Sequence, residues 1–286
     1  MNRLTRLLIE MALEEDLNET GDITTRHFVD PKHRSLGRIM TRESAVISGS
    51  KVASLVCATL SPELLFKSII PDGSAAAKGD LVATLSGPTG WILTAERTVL
   101  NFMQRLCGVA TMTRAFANEI AGTGARLLDT RKTTPGWRDL EKAAVRHGGG
   151  SNHRIGLYDA IMVKDNHLVA NPNPIDLAAK VSEIKTATPH LKIEVEADHL
   201  DQVARFLPLP GIDVILLDNM SNEALAEAVS MRNTVAPHVL LEASGGVTLS
   251  TIRAIAETGV DFISVGALTH SVKSIDLGLD LFVAND

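Results

Sequence analysis

Short aliphatic runs recur through the second half of the sequence, and each ends in a polar, charged or very small residue. Amphipathic segments, such as residues 176–187 and 221–232, separate the later runs. Strands that alternate with helices predict βαβ units and a parallel sheet. The runs are RLLDTR (126–131), AIMVKD (160–165), KIEVEA (192–197), VILLDN (214–219), VLLEAS (239–244) and FISVGA (262–267).

The side chains of a strand alternate between its two faces, so the runs predict which residues share a face. An unpaired buried charge is costly, and such charges are not scattered at random among packed strands. We therefore expect the carboxyl ends of the strands to line one site of a barrel or open sheet. The shared faces pair Asp129 with Arg131, Met162 with Lys164, Glu194 with Glu196, Leu216 with Asp218, Glu242 with Ser244, and Ser264 with Gly266.

Positive charge is concentrated in the middle of an acidic chain. Residues 126–167 contain eight Lys/Arg against five Asp/Glu, whereas the whole chain has a formal net charge of −6. A local basic segment on an acidic body argues against nucleic acid as a partner and favours a site for a small anion. The helical segment RDLEKAAVR (138–146) is equally compatible with a solvated helix face.

The overall composition narrows the class of protein. Aromatic residues make up only 3% of the chain, which predicts an aliphatic core. The two cysteines, Cys57 and Cys107, do not form a disulfide framework and favour a reducing cytoplasm. No uncharged apolar run approaches the roughly 20 residues that span a bilayer, so we expect no membrane association.

The first half has a different pattern. Leu4, Leu7, Leu8 and Met11 form one stripe of a predicted amphipathic helix. A long helical pattern follows from about Thr94 to Ile120, with Arg97 near its N-terminus, where a cation opposes the helix dipole unless it faces an anion.

The fold class is therefore α/β: an N-terminal α+β sandwich-like domain, residues 1–110, and an open α/β barrel of about six to seven parallel strands, residues 111–286. The C-terminal tail is expected to return to the first domain.

Glycine-rich turns follow the last two predicted strands, in EASGGVTLSTI and SVGALTHS. Glycine lets the backbone approach an anion, and the loops after the last strands of such barrels commonly hold phosphate. These turns therefore predict a phosphate site.

Seven blocks in this order resemble the quinolinate phosphoribosyltransferase family: TAERTVLNFMQRLCGVAT, DTRKTTPG, GGGSNHRIGLYDAIMVKDNH, IEVEAD, ILLDNM, EASGGV and VGALTHS. The resemblance covers nearly the whole chain. It implies an enzyme of NAD biosynthesis that joins quinolinate to phosphoribosyl pyrophosphate with Mg²⁺ and forms nicotinate mononucleotide, pyrophosphate and CO₂. No organic cofactor is implied.

The resemblance also assigns residues. Arg97, Arg131, His153, Arg154 and Lys164 would surround quinolinate. Lys132 would reach the ribose or diphosphate and, with Glu196 and Asp218, would be catalytic. The same two carboxylates would hold Mg²⁺, partly through water and substrate. Further substrate contacts would come from Thr130, Ser244, Gly245, Gly246, Val265, Gly266 and Ala267.

Some points stay open. Glu196 is preferred over Glu194 because it lies nearer the carboxyl end of its strand, and His153 could serve as a hydrogen-bond donor or as a proton source. The resemblance further implies a homodimer, or a higher oligomer built from it, in which Arg97 is supplied in trans. Trp137, Asp139, His147 and the Asn171–Pro174 turn match no chemistry of the family.

Two alternatives remain. The first is another phosphoribosyltransferase of the same fold: a nicotinate-specific enzyme has one fewer substrate carboxylate to bind, and a molybdenum-associated relative shares TRKT and the glycine run. The segment YDAIMVKDNH, with its Lys164, favours quinolinate. A non-catalytic sensor of phosphorylated metabolites would be expected to lack Lys132, Glu196 or Asp218, and the sequence has all three.

Overall fold

The computed structural model describes residues 2–164, 166–167 and 176–283. The Asn171–Pro174 turn lies outside the described residues. The chain forms two compact units. The first comprises residues 2–114, 133–149 and 268–283, and the second comprises residues 115–132 and the described part of 150–267. The domain boundary expected near residue 110 stays a prediction.

An antiparallel sheet forms the centre of the first unit. Its strands are β1 (Arg34–Thr41), β3 (Leu65–Ser68), β5 (Leu81–Pro88) and β12 (Leu277–Val283), in the order β12-β1-β5-β3. The C-terminal strand therefore pairs along its length with β1. A separate two-stranded ladder joins β2 (Ala45–Val46) to β4 (Ala75–Ala76).

Four helices in the first half belong wholly or mostly to this unit: α1 (Arg3–Leu17), α2 (Ile23–Phe28), α3 (Ser50–Leu60) and α4 (Thr89–Glu119). Helix α1 forms as predicted, but it buries Thr5, Ile9 and Leu13, whereas Leu4 and Met11 of the predicted stripe are each 65% exposed. Helix α4 begins at Thr89 rather than near Thr94, so Arg97 lies beyond the first turn, where the dipole effect is weak.

Helix α5 (Arg138–Gly148) is not a solvated face. It buries Leu140, Val145 and also Glu141 and Lys142. Glu141 is fully buried and accepts hydrogen bonds from Arg105 of α4 at 3.0 Å and from the Thr134 hydroxyl at 2.9 Å. A buried carboxylate needs such partners, so the charged pattern of this helix serves packing within the first unit.

The unmatched residues of this region have structural partners in the same unit. The Trp137 ring stacks on Phe102 with centroids 4.8 Å apart. Asp139 accepts a hydrogen bond from the Asn2 amide, and the Nδ1 atom of His147 lies 2.9 Å from the Ser48 hydroxyl.

The second unit contains a six-stranded parallel sheet, as the sequence predicts. Its strands are β6 (Arg126–Leu128), β7 (Ile161–Val163), β8 (Ile193–Ala197), β9 (Val214–Asp218), β10 (Leu240–Ser244) and β11 (Phe262–Ser264). The spatial order is β6-β11-β10-β9-β8-β7. Within the described residues β6 and β7 do not pair, which leaves the sheet open, and Ser151 bridges to Leu128 beside β6.

The remaining helices are α6 (Leu177–Ala187), α7 (Leu200–Phe206), α8 (Asn222–Val235), α9 (Ile252–Glu257) and α10 (Ala267–His270). Side chains cap the starts of α6 and α8: Asp176 accepts from Ala179 N at 3.1 Å, and Ser221 accepts from Ala224 N at 3.3 Å. In the part of the chain that is described, no helix combines the length and apolarity needed to cross a bilayer.

The central strands alternate as their sequences predict. Val195, Ile215 and Leu241 align across three neighbouring strands and are completely buried. The residues between them along the strands include Glu194, Glu196, Leu216 and Glu242. One face of the sheet is therefore aliphatic, and the other brings polar groups into the interior of the second unit.

Candidate active site

A cavity of about 360 Å³ lies at the carboxyl ends of the strands in the second unit. Its wall includes Met162, Leu216, Glu242 and Ser264, which the alternation places on the same strand faces as the predicted site residues. Nine of those predicted residues line it: Thr130, Arg131, Lys132, His153, Arg154, Lys164, Glu196, Asp218 and Ser244.

The glycine turn after β10 adjoins this wall. Gly245 has φ +96°, a backbone conformation that favours glycine, and a Cβ atom there would also collide with the Asn219 side chain. Gly246 has φ +59° and open space where a Cβ would be. Val265 is buried and donates its N–H to Leu128 O at 3.0 Å, and Gly266 leads into α10, which begins at Ala267. Ser244, at the end of β10, and Ser264, at the end of β11, line the cavity.

Charges of opposite sign meet in the cavity. The Lys164 ammonium forms an ion pair with Glu196, whose side chain is 10% exposed. Asp218 accepts a hydrogen bond from the Asn219 amide at 2.7 Å. The Thr130 hydroxyl accepts from the backbone N–H of Lys132 at 3.1 Å and so shapes the turn that carries the lysine. A small anion with several acidic groups would find both cations and hydrogen-bond donors here.

The donor set fits a hard divalent cation. Glu196 is the last residue but one of β8, Asp218 ends the neighbouring strand β9, and both line one cavity. Carboxylate oxygens are preferred by Mg²⁺, which usually retains waters and shares substrate phosphates. Two carboxylates, one already paired with Lys164, suit a metal held largely through substrate and water.

A buried cluster lies deeper in the same unit. We call His153, Glu194 and Glu242 the His153 cluster. The Nε2 atom of His153 lies 3.2 Å from Glu194 Oε2 and 3.5 Å from Glu242 Oε2. Asp129, completely buried, accepts from His153 N at 2.8 Å and from the Asn152 amide at 2.7 Å. Sequence reasoning assigned Asp129, Glu194 and Glu242 no contact, although alternation placed each on an inward face.

The cluster shifts the proton affinities of its members. Burial alone would lower the pKa of His153, but hydrogen bonds and attraction from Glu194 and Glu242 outweigh it and raise the pKa to about 10. Burial is the main cause that raises the pKa of Glu194, with repulsion from Glu242 in the same direction. The two carboxylates therefore favour a proton on the Nε2 atom of His153, which faces them.

A second cavity of about 440 Å³ lies toward the amino ends of the strands. Its wall includes Arg126, Lys192 and Phe262, and also Glu194. His153, Arg154 and Glu242 line both cavities. Glu194 does not line the first cavity and Glu196 does, so Glu194 lies deeper than Glu196, as expected from the strand direction.

Arg97 belongs to the first unit. There it lines a cavity of about 300 Å³ together with Glu15, Asp16, Asn101 and Trp137. Acidic neighbours of this kind provide a favourable setting for the guanidinium in the isolated chain.

Comparisons with known proteins cover nearly the whole chain. The family model "Quinolinate phosphoribosyl transferase, N-terminal domain" matches residues 22–107, and the model of the C-terminal domain matches residues 109–280. The chain is 42% identical over 277 residues to the carboxylating nicotinate-nucleotide pyrophosphorylase of Mycobacterium leprae, covering 96% of this chain and 95% of that protein. It is 37% identical to the decarboxylating quinolinate phosphoribosyltransferase 1b of Nicotiana tabacum, over 96% of this chain and 81% of that one.

Solved structures agree with these matches. The nicotinate-nucleotide pyrophosphorylase of Francisella tularensis superimposes with a TM-score of 0.90 and 38% identity, covering 99% of this chain and 97% of that chain. The enzyme of Ehrlichia chaffeensis gives a TM-score of 0.87 and 34% identity, over 97% and 98% of the two chains. The chain belongs to the quinolinate phosphoribosyltransferase family.

Proposed function

We propose that this chain transfers the phosphoribosyl group of phosphoribosyl pyrophosphate to the ring nitrogen of quinolinate and releases pyrophosphate and CO₂. The product is nicotinate mononucleotide, a precursor of NAD. The main support from the site itself is that four cations line one cavity together with the carboxylates of Glu196 and Asp218: Arg131, Lys132, Arg154 and Lys164. Both substrates carry several negative charges, so such a concentration of cations suits them.

Quinolinate recognition falls to the cations of the cavity. Arg131, Arg154 and Lys164 offer charge-assisted hydrogen bonds to its two carboxylates. The Lys164 ammonium forms an ion pair with the Glu196 carboxylate. An arriving carboxylate therefore competes for the lysine, and the exchange leaves Glu196 available to the ribose.

The transfer step uses the remaining charges. The C1′–oxygen bond to diphosphate breaks with its electron pair on the departing oxygen, and Lys132 and the neighbouring cations stabilise that charge. Glu196 and Asp218 stabilise the positive charge that develops on the ribose. The pyridine nitrogen forms the new bond to C1′, aided by its fixed position. Once the ring is quaternised, the bond from C2 to its carboxylate breaks, CO₂ leaves and C2 takes up a proton.

Mg²⁺ is proposed as the accompanying metal. Glu196 and Asp218 would hold it with waters and substrate oxygens, and it would neutralise part of the diphosphate charge. The turn after β10, with Ser244, Gly245 and Gly246, and the turn with Val265, Gly266 and Ala267 would hold the 5′-phosphate through backbone N–H groups.

The proposed assembly is a homodimer in which Arg97 completes the quinolinate site of the partner. We also infer a reducing cytoplasm as the location, because Cys57 and Cys107 are both free and buried.

The discriminating assay compares two pyridine substrates. The purified protein is incubated with phosphoribosyl pyrophosphate, Mg²⁺ and either quinolinate or nicotinate, and formation of nicotinate mononucleotide is followed by chromatography. Turnover of quinolinate but not nicotinate supports the proposal. Turnover of nicotinate alone would assign a different phosphoribosyltransferase activity, and absence of turnover with either would favour a sensor.

A further inference from the structure

The His153 cluster is more than a set of buried charges, because it ties one loop to the central strands. Glu194 lies on β8 and Glu242 on β10, and they are 5% and 2% exposed. Both reach the same nitrogen of His153, which lies on the loop after α5. Two strands that do not neighbour each other therefore hold a single imidazole ring.

The two ring nitrogens have different partners. Nδ1 accepts the backbone N–H of Arg154 at 2.7 Å, and this bond holds the ring in its singly protonated form, against the attraction of the two carboxylates that raises its pKa. The ring proton consequently lies on Nε2, directed at the two carboxylates. A metal ion would need the Nε2 lone pair and a proton on Nδ1, where the Arg154 N–H already points. This geometry favours a hydrogen-bonded clamp over a metal site, although the three ligand atoms lie within 4.8 Å of one another.

The clamp fixes the position of Arg154. The ring receives the Arg154 backbone N–H, and Asp129 receives the His153 backbone N–H at 2.8 Å. The Arg154 guanidinium then donates to Ala160 O at 3.1 Å, at the start of β7. Burial and repulsion from Arg131 lower the pKa of Arg154, so the two guanidinium groups are close enough to disfavour each other.

The burial of the Glu194 and Glu242 carboxylates reduces the stability of the fold. Within the described residues, Glu194 Oε1 and Glu242 Oε1 are buried and have no hydrogen-bond partner. Buried carboxylates that are incompletely satisfied reduce stability, and well-packed apolar residues of similar volume are often neutral or stabilising in their place. Packing alone therefore does not account for two glutamates at these positions.

We propose that Glu194 and Glu242 are positioning residues for quinolinate recognition, which hold the His153 ring so that it fixes Arg154 against the substrate. The inference rests on the proposed function. It adds two residues to which that function assigns no contact with the ribose or the metal. Glu242 acts through His153, and Glu194 acts through the same ring and also by its attraction for the Arg154 guanidinium. Their removal weakens quinolinate binding and leaves phosphoribosyl pyrophosphate binding nearly unchanged.

The test uses variants that keep the volume of the side chain. Glu242→Met removes the acceptor and the charge, and Glu242→Gln keeps an acceptor oxygen for Nε2–H. We expect Glu242→Met to raise the KM for quinolinate about tenfold or more, as for loss of a charge-assisted hydrogen bond. Glu242→Gln recovers most of that loss. The KM for phosphoribosyl pyrophosphate stays within about twofold in both variants.

Thermal unfolding separates positioning from a structural role. Because Glu242→Met replaces an incompletely satisfied buried carboxylate, its Tm stays equal to that of the wild type or rises.

A double variant tests whether Glu242 acts through the ring. Combining Glu242→Met with His153→Phe changes the KM for quinolinate by less than about twofold relative to His153→Phe alone. Glu183→Met, at an exposed position of α6, is the matched control and leaves both KM values unchanged.

Three results would overturn the inference while the proposed function stands: an active Glu242→Met with normal quinolinate KM, equal losses for both substrates, or full additivity with His153→Phe. If Glu242→Met does not fold, Glu194→Met is measured with the same expectations. A wild-type protein that neither binds nor turns over quinolinate would remove the proposed function and this inference together.

Discussion

At the scale of single residues, the Lys164–Glu196 ion pair links recognition to chemistry. Lys164→Met keeps most of the stem and removes the charge. Loss of a charge-assisted hydrogen bond should weaken quinolinate binding by about 1.5–3 kcal/mol, roughly tenfold to a hundredfold, and phosphoribosyl pyrophosphate binding much less. Calorimetric titration with each ligand measures both. Lys180→Met, on the exposed face of α6, serves as control. Equal losses for the two ligands would mean that Lys164 has another role.

The hydrogen bonds of Asp22 stabilise the start of helix α2. Asp22 caps α2 by accepting from Thr25 N at 2.9 Å and also accepts from Thr94 Oγ1 at 3.1 Å. Burial raises its pKa, but these hydrogen bonds outweigh burial and lower the pKa below 3.8. A carboxyl with a lowered folded-state pKa stabilises the fold above its unfolded pKa, and that contribution disappears as the pH falls through the folded value.

The corresponding prediction concerns Asp22→Ala. Loss of a helix cap should lower the free energy of unfolding by about 1 kcal/mol at pH 7. The difference from wild type should shrink below pH 3.8, because the protonated wild-type side chain no longer benefits from its charge. Asp22→Asn keeps an acceptor and should recover most of the loss at pH 7. Urea unfolding at several pH values checks this, and a difference independent of pH would contradict it.

At the scale of elements, the glycine triplet at 148–150 is a matter of helix packing. A Cβ atom on Gly148 would lie 2.4 Å from Thr113 Cβ and 2.5 Å from Ala110 O, so α5 and α4 approach closely there. Gly149 ends α5 with φ +97°. The triplet therefore fixes where α5 stops, before the chain reaches His153.

Gly148→Ala should consequently destabilise the protein by about 1–3 kcal/mol through overpacking. Gly124→Ala is the matched control, because Gly124 is exposed and a Cβ there meets nothing within 4 Å. Denaturant unfolding compares the two. If Gly148→Ala proved as stable as Gly124→Ala, the close approach of the helices would not constrain the position.

Strand positions could be predicted because the signals are local in the sequence: IEVEA alternates with a period of two, and VILLD is a short continuous apolar run that ends in a carboxylate. The packing partners of helix α5 could not be predicted from the sequence. Its charged pattern suits a solvated face, and the burial of Glu141 depends on Arg105, which is distant in sequence. The contacts of His153 with Glu194 and Glu242 could not be predicted either. They join residues of two strands to a loop that is distant in sequence, and no local sequence pattern indicates them.

At the scale of the whole molecule, membership of the units depends on long-range pairing that local patterns do not specify. Residues 133–149 and 268–283 group with the N-terminal half, and β12 pairs with β1. The fold class was predictable from the alternation of strands and helices, and the sequence analysis expects the C-terminal tail to return to the first domain. No local pattern assigned residues 133–149 to the N-terminal half. The assembly is a further step, and it concerns Arg97.

Arg97 in trans predicts complementation between two defective variants. Arg97→Ala and Lys132→Ala should each be nearly inactive. In a mixed two-fold dimer, the Arg97→Ala subunit keeps its own Lys132 and receives an intact arginine, so one of two sites regains activity. Co-expression with two affinity tags isolates the mixed dimer. If Arg97 acts within its own chain, the isolated mixed dimer stays inactive.

The central claim is tested most directly by the stoichiometry of CO₂ release. Quinolinate labelled in the 2-carboxylate is incubated with the protein, phosphoribosyl pyrophosphate and Mg²⁺, and labelled CO₂, pyrophosphate and nicotinate mononucleotide are quantified together. The account predicts equal amounts of the three products and no labelled CO₂ when phosphoribosyl pyrophosphate is omitted. Mononucleotide that retains the label, or no product at all from quinolinate, would contradict it.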